Sequence, residues 1–522
     1  MKSKNILMIA LAAGALLSSC DMDKEPYDSL PDGEALKTPI NFQAARVGLY
    51  SAMKASVAGS FYTAPELQCD GFNAVAGFSN TLGDMYRWNF TPQTGTFETV
   101  YGNYQALISR ANFIIDGYNK ADLTNTTLFP TNPRPSDVNQ GLPITKETKG
   151  DAFFMRAYAI FGLAQYFCAD YDAATATQEN SGVSYRLDYA PSENPSTYPG
   201  RYTLAQTYQQ IKDDLDSASV YVTQTPSANC SYISVDAITA LRARVALAMD
   251  DYDLAIQESE LLINSDKYSL ASSEQELYNL WNTSSTWQGK TYGGTETILL
   301  LATASSNELP LQSGVQYLPY SNGAVPDYIP TQSLVDLYSD NDYRKAVYFT
   351  KGDVVTNQGG VGNVYELNKY ADRGVLYQYT RSESARFAVE PRVFRIAEMY
   401  LIAAEAYAQK GDLESAADYL NELEESRIAG FTAQNYSDKD IFMAELRKER
   451  EREMLAEGSR LFDLKRWKMG VKRGTPQQLD LCLLPGASTT ELNMPANSYR
   501  MVWPIPKHEI DVNKKIVQNL GY

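Results

Sequence analysis

Residues 446–467, LRKEREREMLAEGSRLFDLKRW, are the most informative stretch of this chain. Acidic and basic side chains alternate here at helical spacing, and the charged positions are followed by a tryptophan: Glu449, Arg450, Glu453, Glu457, Arg460, Asp463, Arg466 and Trp467. A catalytic acid/base pair and a solvated helix face are two interpretations of the pattern. Arginines beside carboxylates keep them ionised, whereas a general acid needs a raised pKa. The pattern therefore favours a structural ion-pair network that ties the last helices to the rest of the fold.

Most of the chain before this stretch has helical periodicity. Apolar residues recur at helical spacing in segments 41–58, 100–118, 151–167 and 204–222. These segments predict a mainly α-helical protein.

Two further segments, 238–257 and 400–420, each read as helix, tight polar turn and helix. In the second, small and aromatic residues match the spacing of tetratricopeptide repeats: Ala404, Tyr407, Gly411, Ala416 and Leu420. In the first, Asp250 stands where the glycine would be, and a simple helical hairpin is the alternative. We expect a scaffold of tetratricopeptide-like helix pairs, interrupted by long insertions.

The insertions have a different composition. Segments 124–143, 185–202, 281–333 and 344–388 lack helical periodicity and are rich in Asn, Pro, Ser, Thr, Gly or Tyr. Loops on a rigid scaffold are where binding usually occurs. The sequence thus predicts a loop-rich, irregular half that carries the ligand site.

Charge and composition exclude several functions. The chain has 522 residues with 46 basic and 63 acidic side chains, a net charge of −17, which argues against nucleic-acid binding. Its single histidine, His508, excludes a multi-histidine metal site and makes Ser-His or Cys-His catalysis improbable. Asp250, Asp251 and Asp253 are better explained as a helix cap than as a calcium site. We expect no cofactor and no metal.

The N-terminus has the features of an export signal. Residues 1–19 carry two lysines and then an apolar run too short to span a bilayer, and small residues precede Cys20. This pattern predicts a lipoprotein signal peptide, a lipidated Cys20 and a flexible tether over residues 20–40. A plain signal peptide with an incidental cysteine is the alternative. Several acyl chains would make a durable membrane anchor.

Four other cysteines remain: Cys69, Cys168, Cys230 and Cys482. None forms a CxxC pair, so metal binding and thioredoxin-like chemistry are unsupported. The exported compartment permits disulfides, but buried free thiols are at least as consistent with the sequence.

Taken together, these motifs resemble the RagB/SusD family of outer-membrane nutrient-binding lipoproteins. The charged stretch follows the family motif, with Glu451 where a second arginine is common and Leu461 at a usually aromatic position. Segments 109–112 and 325–344 agree with it, and the resemblance covers residues 41–522. It implies a SusD-like α-helical domain, with an N-terminal part over about 41–270 and a C-terminal part over about 271–522.

The resemblance also implies a function. The protein would bind oligosaccharide at the cell surface as the lid of a TonB-dependent outer-membrane β-barrel transporter (the SusC-like partner) and import it without catalysis. Capture of peptides, as in the RagB branch, is the first alternative. The other two alternative functions are a surface glycoside hydrolase and a scaffold that binds only protein.

Candidate ligand residues come from two segments rich in aromatic and polar side chains. Sugar rings stack on flat aromatic groups, and their hydroxyls need polar partners. The first segment also includes Phe78, Asn80 and Arg87. The main candidates are Asp70, Phe72, Asn73, Tyr86, Trp88, Asn89, Trp281, Trp287, Tyr292 and Tyr320. The alternative for Trp88 and Trp281 is that they only close the core.

Overall fold

The computed structural model describes residues 35–282, 294–302, 320–321, 325–370, 390–482 and 492–522. Helices dominate, which confirms the mainly α-helical prediction. The helices are α1 Pro39–Ala55, α2 Ser60–Gln68, α3 Gly83–Tyr86, α4 Gly95–Lys120, α5 Leu142–Phe167, α6 Leu204–Tyr221, α7 Val235–Ala248, α8 Tyr252–Ile263, α9 Glu274–Asn282, α10 Gln332–Val335, α11 Tyr343–Tyr348, α12 Ile396–Lys410, α13 Leu413–Arg427, α14 Lys439–Glu453, α15 Arg460–Arg466 and α16 Lys507–Val512. Short 3-10 turns lie at Pro135–Gln140, Pro195–Thr197, Leu479–Leu481 and Tyr499–Met501.

The strands are short. They are β1 Phe72–Ala74, β2 Thr297–Leu300, β3 Tyr320–Ser321, β4 Val325–Pro326, β5 Tyr328–Pro330, β6 Phe349–Val355, β7 Val361–Leu367, β8 Arg392–Arg395, β9 Val471–Lys472 and β10 Asn493–Met494. Within the described residues they pair two by two, all antiparallel: β1 with β5, β2 with β8, β3 with β4, β6 with β7 and β9 with β10. Such small sheets depend on the helices for their stability.

Helix α5 is the centre of the N-terminal part. It contacts α1, α4 and α6, and apolar residues on every side of it are buried, from Ile144 to Phe167. Because other helices surround it, its second part, residues 151–167, is mostly apolar, and the polar side chains of its first turns are buried as well. Helix α6 begins with a capping box in which Thr203 and Gln206 satisfy each other's backbone N–H groups.

The two predicted helix pairs are present and lie next to each other. Helices α7 and α8 form the first pair, α12 and α13 the second, and α8 packs directly against α12. The turn of the second pair has Gly411 at φ 88°, and that of the first has Asp250 at φ 58°. The aspartate thus adopts the left-handed conformation that glycine adopts more readily. Their likeness to tetratricopeptide repeats stays a prediction.

A second, smaller hydrophobic cluster lies under the loop-rich half. It gathers side chains of β1, β5, α9, α10 and α11, including Trp281 and Tyr348, together with Tyr338 from the segment after α10. Segment 344–388, which lacks helical periodicity, contains most of α11 and then the β6–β7 hairpin.

Several other predictions can be compared with the structure. The four cysteines after Cys20 are free and buried, so no disulfide joins them. Asp251 caps α8 by accepting a hydrogen bond from the Leu254 N–H, which confirms the helix-cap interpretation.

The signal peptide and Cys20 lie outside the described residues. Across the described ranges, no helix has the length and apolar character that a membrane span requires. The domain boundaries stay predictions.

Candidate functional site

The charged motif forms the end of α14, a turn and α15. The turn contains Gly458 at φ 79°, where an added Cβ would lie 2.7 Å from the Tyr62 ring. This close approach brings the motif against α2. The Gly458 backbone N–H donates to the Glu66 side chain on α2, at 2.9 Å. Glycine is therefore needed here both for its conformation and for its lack of a side chain.

Glu453 lies at the centre of a buried ion-pair network. Arg395 donates to its Oε1 at 2.7 Å, and Arg344 donates to its Oε2 at 3.0 Å. Arg427 adds a bond to Oε2 at 2.9 Å. Arg344 also binds Glu449, one turn earlier on α14. None of these side chains reaches solvent, which rules out the solvated-face interpretation for this part of the motif.

The other charged residues of the motif are paired as well. Glu457 accepts bonds from Arg395 and Lys369. Arg460 lies 2.7 Å from Asp70, and Arg466 binds Glu405. Asp463 lies 2.7 Å from Arg450 (Nε to Oδ2), and Trp467 donates its indole N–H to Glu405 at 2.7 Å. Since the partners come from all parts of the chain, the network joins the N-terminal helices to the C-terminal ones.

The electrostatics argue against acid/base catalysis by these carboxylates. Burial by itself would raise the pKa of Glu453, but Arg427 and Arg395 outweigh it and hold that pKa well below its ordinary value. Arginines lower the pKa of Glu449, Glu457 and Asp463 in the same way against their burial. A general acid needs the opposite shift.

Burial raises the pKa of Glu424, which pairs with Arg452, to about 8, and two more carboxyl groups near the motif also have raised pKa values. Burial raises the pKa of Glu66 to about 8 and that of Glu451 to about 7. Both line a cavity of about 10 Å³. Such a volume holds about one water molecule and no sugar ring. This cavity therefore offers no room for a glycosidase substrate.

The structure corrects most of the ligand candidates in the first segment. Phe72, Tyr86 and Trp88 are fully buried, Asn73 is 4% exposed, and the Trp88 indole N–H donates to the Gln68 carbonyl at 2.9 Å. A ring that solvent does not reach is unable to stack on a sugar. These side chains belong to the core, as the alternative for Trp88 proposed.

Asp70 and Asn89 differ from that group. Asp70 is partly buried, and its two oxygens accept bonds from Arg460 at 3.0 and 2.7 Å. Its placement is therefore explained by the ion-pair network. Asn89 is exposed, and its role as a ligand residue stays a prediction.

Trp281 is the clearest correction in the second segment. It is 2% exposed and stacks under the Lys369 ammonium, which lies 4.2 Å from the ring centroid. Burial lowers the pKa of Lys369 to about 8 despite its bond with Glu457. Trp281 thus stabilises a buried cation and closes the smaller core.

The remaining candidates are only partly described. Trp287 and Tyr292 lie outside the described residues. Tyr320 lies in β3, opposite Pro326. For these three residues ligand contact stays a prediction.

What the first segment does present at the surface is the loop after β1. Phe78 is partly exposed, and the Arg87 guanidinium lies 5.5 Å from its ring centroid. Arg87 also donates to the side chain of the exposed Asn80. The loop therefore combines one accessible aromatic ring with a cation and an amide.

Side chains from distant positions hold this loop in place. The ring of Tyr328, on β5, packs against Phe78 at 5.6 Å, and its hydroxyl donates to the Thr81 carbonyl at 2.6 Å. The neighbouring Asp327 accepts the Ser79 N–H at 2.6 Å. Asn357, at the tip of the β6–β7 hairpin, donates to the Gly77 carbonyl at 3.0 Å. Sequence reasoning missed these supports because they lie about 250 residues away and carry no local signal.

Comparisons with known proteins agree with the fold and the motif. A sequence model described as the SusD family matches residues 350–522, and one described as starch-binding associating with outer membrane matches residues 23–247. SusD-like protein P38 of Formosa agariphila is 22% identical, and the alignment covers 100% of this chain and 99% of the relative. SusD-like protein P2 of the same bacterium is 23% identical, with 99% of each chain covered.

Solved structures share the fold. A SusD superfamily protein from Bacteroides thetaiotaomicron has a TM-score of 0.73 at 23% identity, over 92% of this chain and 99% of its own. A putative sugar binding protein from Bacteroides vulgatus has a TM-score of 0.73 at 22% identity, over 94% and 99%.

Proposed function

Because this chain belongs to the SusD family, we propose that it is a lipid-anchored outer-membrane protein that binds oligosaccharide at the cell surface. It then delivers the oligosaccharide to a TonB-dependent β-barrel transporter and performs no chemistry on it. The similarity to a family described as starch-binding and associated with the outer membrane supports the ligand class and the location. The name of one structural neighbour, a putative sugar binding protein, supports the ligand class as well.

One observation on this chain carries the proposal: the surface loop around Phe78. The accessible ring offers an apolar face to a sugar, and Arg87 and Asn80 beside it offer donors to hydroxyl groups. Tyr328 and Asp327 hold the loop, so little conformational entropy is lost when ligand binds. Asn89, Trp287, Tyr292 and Tyr320 stay candidates for further contacts with the glycan.

Lipidation of Cys20 would hold the protein beside its transporter. A tethered lid stays at high effective concentration over one pore, so even weak contact with the barrel keeps it in place. Cys20→Ala should release the protein from the outer membrane. Continued partitioning of this variant with lipid would contradict the anchor.

The binding experiment is a calorimetric titration of neutral, acidic and sulfated oligosaccharides, with peptides as a parallel set. Phe78→Ala should weaken glycan binding at least about tenfold, which corresponds to about 1.4 kcal/mol. Tyr232→Ala, at a ring 43% exposed on the helical part, is the matched control and should bind normally. If the protein binds peptides and none of the glycans, the assigned ligand class is wrong.

The partner and the absence of catalysis need separate measurements. Capture of the tagged protein from membranes in mild detergent should recover a β-barrel receptor in near-equal amount. Its absence under several detergents would contradict the lid role. Incubation with a bound oligosaccharide should return it unchanged, and shorter products would indicate a hydrolase.

A further inference from the structure

A cavity of about 120 Å³ lies where the N-terminal helices meet the charged motif. Its lining comes from α2, α4, α5, α6 and α7, the loop after α5, strand β8, and α12, α14 and α15 with the turn before α15. It is separate from the Phe78 loop, which contributes no residue to it. An inference about this cavity therefore stands apart from the proposed glycan binding.

Tyrosine hydroxyls without protein partners line the cavity. Tyr62, Tyr104 and Tyr158 are its members, and their hydroxyls make no hydrogen bond to any residue in the described part of the chain. Burial raises the pKa of Tyr158 to about 12 and raises those of Tyr62 and Tyr104 well above the ordinary tyrosine value. All three are therefore protonated at neutral pH and able to donate. Buried polar groups normally have a partner, so these hydroxyls are left for water or for a bound ligand.

Arg244 adds a charged donor to the same wall. Its Nε donates to Glu398 at 2.9 Å, and its Nη2 donates to the Val393 carbonyl at 3.0 Å. The remaining nitrogen, Nη1, makes no bond to a described residue. Arg244 lines the same cavity as the three tyrosines, and its positive charge lowers the pKa of each of them against the effect of burial.

The two glutamates that line the cavity are already paired. Glu398 binds Arg244 through both oxygens, and Glu457 binds Lys369 and Arg395. Counting charges, six cationic and four anionic side chains line the cavity, an excess of positive charge in a protein whose net charge is −17. The three hydroxyl groups and Arg244 Nη1 can therefore all donate to a guest, and the excess of cationic side chains favours an anion.

The volume limits the size of the guest. A cavity of about 150 Å³ accommodates benzene, and a water molecule takes about 30 Å³ in the liquid. A volume of about 120 Å³ therefore suits an ion with four or five heavy atoms and is too small for a sugar ring.

From this geometry we propose that the cavity binds one small oxyanion, such as phosphate, sulfate or a short carboxylate. The three tyrosine hydroxyls and Arg244 Nη1 donate to its oxygens. The anion thereby links α2, α4, α5 and α7 to one another beside the C-terminal motif.

The test is a titration of the full chain with inorganic phosphate, followed by calorimetry and by ³¹P NMR line width, at constant ionic strength in chloride. Sulfate and acetate form parallel arms. Tyr104→Phe with Tyr158→Phe removes only two hydroxyl groups. Tyr278→Phe, at a tyrosine 47% exposed on α9, is the matched control. Circular dichroism and thermal unfolding establish that each variant is folded, and Tyr62→Phe replaces any variant that is not.

We expect saturable binding of one anion per chain in at least one arm. It should weaken about tenfold or more in the double variant and stay unchanged in Tyr278→Phe. Two results would overturn the proposal: no saturable binding in any arm, or binding that the double variant retains in full. The second result would place the anion elsewhere on the protein.

Discussion

The Glu453 carboxylate lies 2.9 Å from the Arg427 guanidinium, from Oε2 to Nε, and neither side chain is exposed to solvent. Arg344 and Arg395 contact the same carboxylate. Three buried cations therefore share this carboxylate, and each also bonds a second one: Glu449, Glu457 or Glu296. Helices α13 and α14 are joined through Glu453, and removing it leaves the three guanidinium groups with less buried negative charge to balance them.

Glu453→Gln should consequently lower the free energy of unfolding by about 3–5 kcal/mol, the usual cost of breaking a buried ion pair. Denaturant unfolding measures the change. Glu425→Gln, at an exposed position on α13, is the control and should stay within about 0.5 kcal/mol of the original protein. Equal stability of the two variants would show that Glu453 contributes little.

Glu66 should give the protein a specific pH dependence. Burial raises its pKa to about 8, against the effect of the Gly458 N–H and Arg460. A carboxyl with a raised pKa binds its proton more tightly in the folded state. Its contribution to stability is thus complete below the unfolded pKa near 4.5 and is lost as the pH rises through about 8.

Glu66→Gln should therefore flatten the decline of stability between pH 4.5 and 8, by at most about 1.4 kcal/mol per pH unit. Glu451 and Glu424, with pKa values of about 7 and 8, titrate in the same pH range. They are unchanged in the Glu66→Gln variant, so they affect its unfolding and that of the original protein alike. The difference between the two unfolding curves isolates Glu66. Parallel curves across this pH range would show that Glu66 is ionised in the folded state.

Gly458 and Gly411 offer a matched pair of turn substitutions. Both have positive φ, 79° and 88°, but a Cβ at position 411 would meet open space, whereas one at 458 would lie 2.7 Å from Tyr62. Gly411→Ala should cost about 1–2 kcal/mol, the strain of a left-handed alanine. Gly458→Ala should cost clearly more, because it also pushes the motif away from α2. Thermal unfolding measures the stability of the two variants. If both lose about the same stability, Tyr62 moves aside easily to make room for the Cβ at position 458.

Trp88 should behave as a core residue. It is fully buried, its indole N–H binds the Gln68 carbonyl, and its ring packs 6.1 Å from Phe90. Trp88→Ala should destabilise the protein by about 3–5 kcal/mol, as other large-to-small core changes do. Glycan affinity, measured on the fraction that stays folded, should be unchanged. A selective loss of affinity without loss of stability would return Trp88 to the ligand site.

Local sequence patterns predicted the helices well. Segments 100–118 and 204–222 correspond to α4 and α6, and segment 151–167 is the second half of α5. The start of α5 was harder to see, because its first turns bury polar residues such as Thr145, Thr148 and Lys149. Their burial is decided by neighbouring helices and leaves no periodic apolar signal.

The ligand candidates show the limit of the same reasoning. Aromatic and polar side chains in one segment predict a binding surface only if they point outwards. In segment 70–89, Trp88 and Tyr86 point into the core, and Phe78 is the partly exposed ring. Whether a ring is exposed depends on everything that packs against it: Tyr328 from β5 contacts both Tyr86 and Phe78, and Arg473 covers Tyr86 as well.

The sequence by itself determined the helical class, the two helix pairs and the charge pattern of the motif, because these depend on spacing along one segment. Only the tertiary structure decided which cations pair with Glu453 and which ring of the first segment faces solvent. Arg344, Arg395 and Arg427 reach that carboxylate from three separate segments. Contacts between distant segments arise when buried charges and apolar faces must all be satisfied together, and no single stretch of chain encodes that outcome.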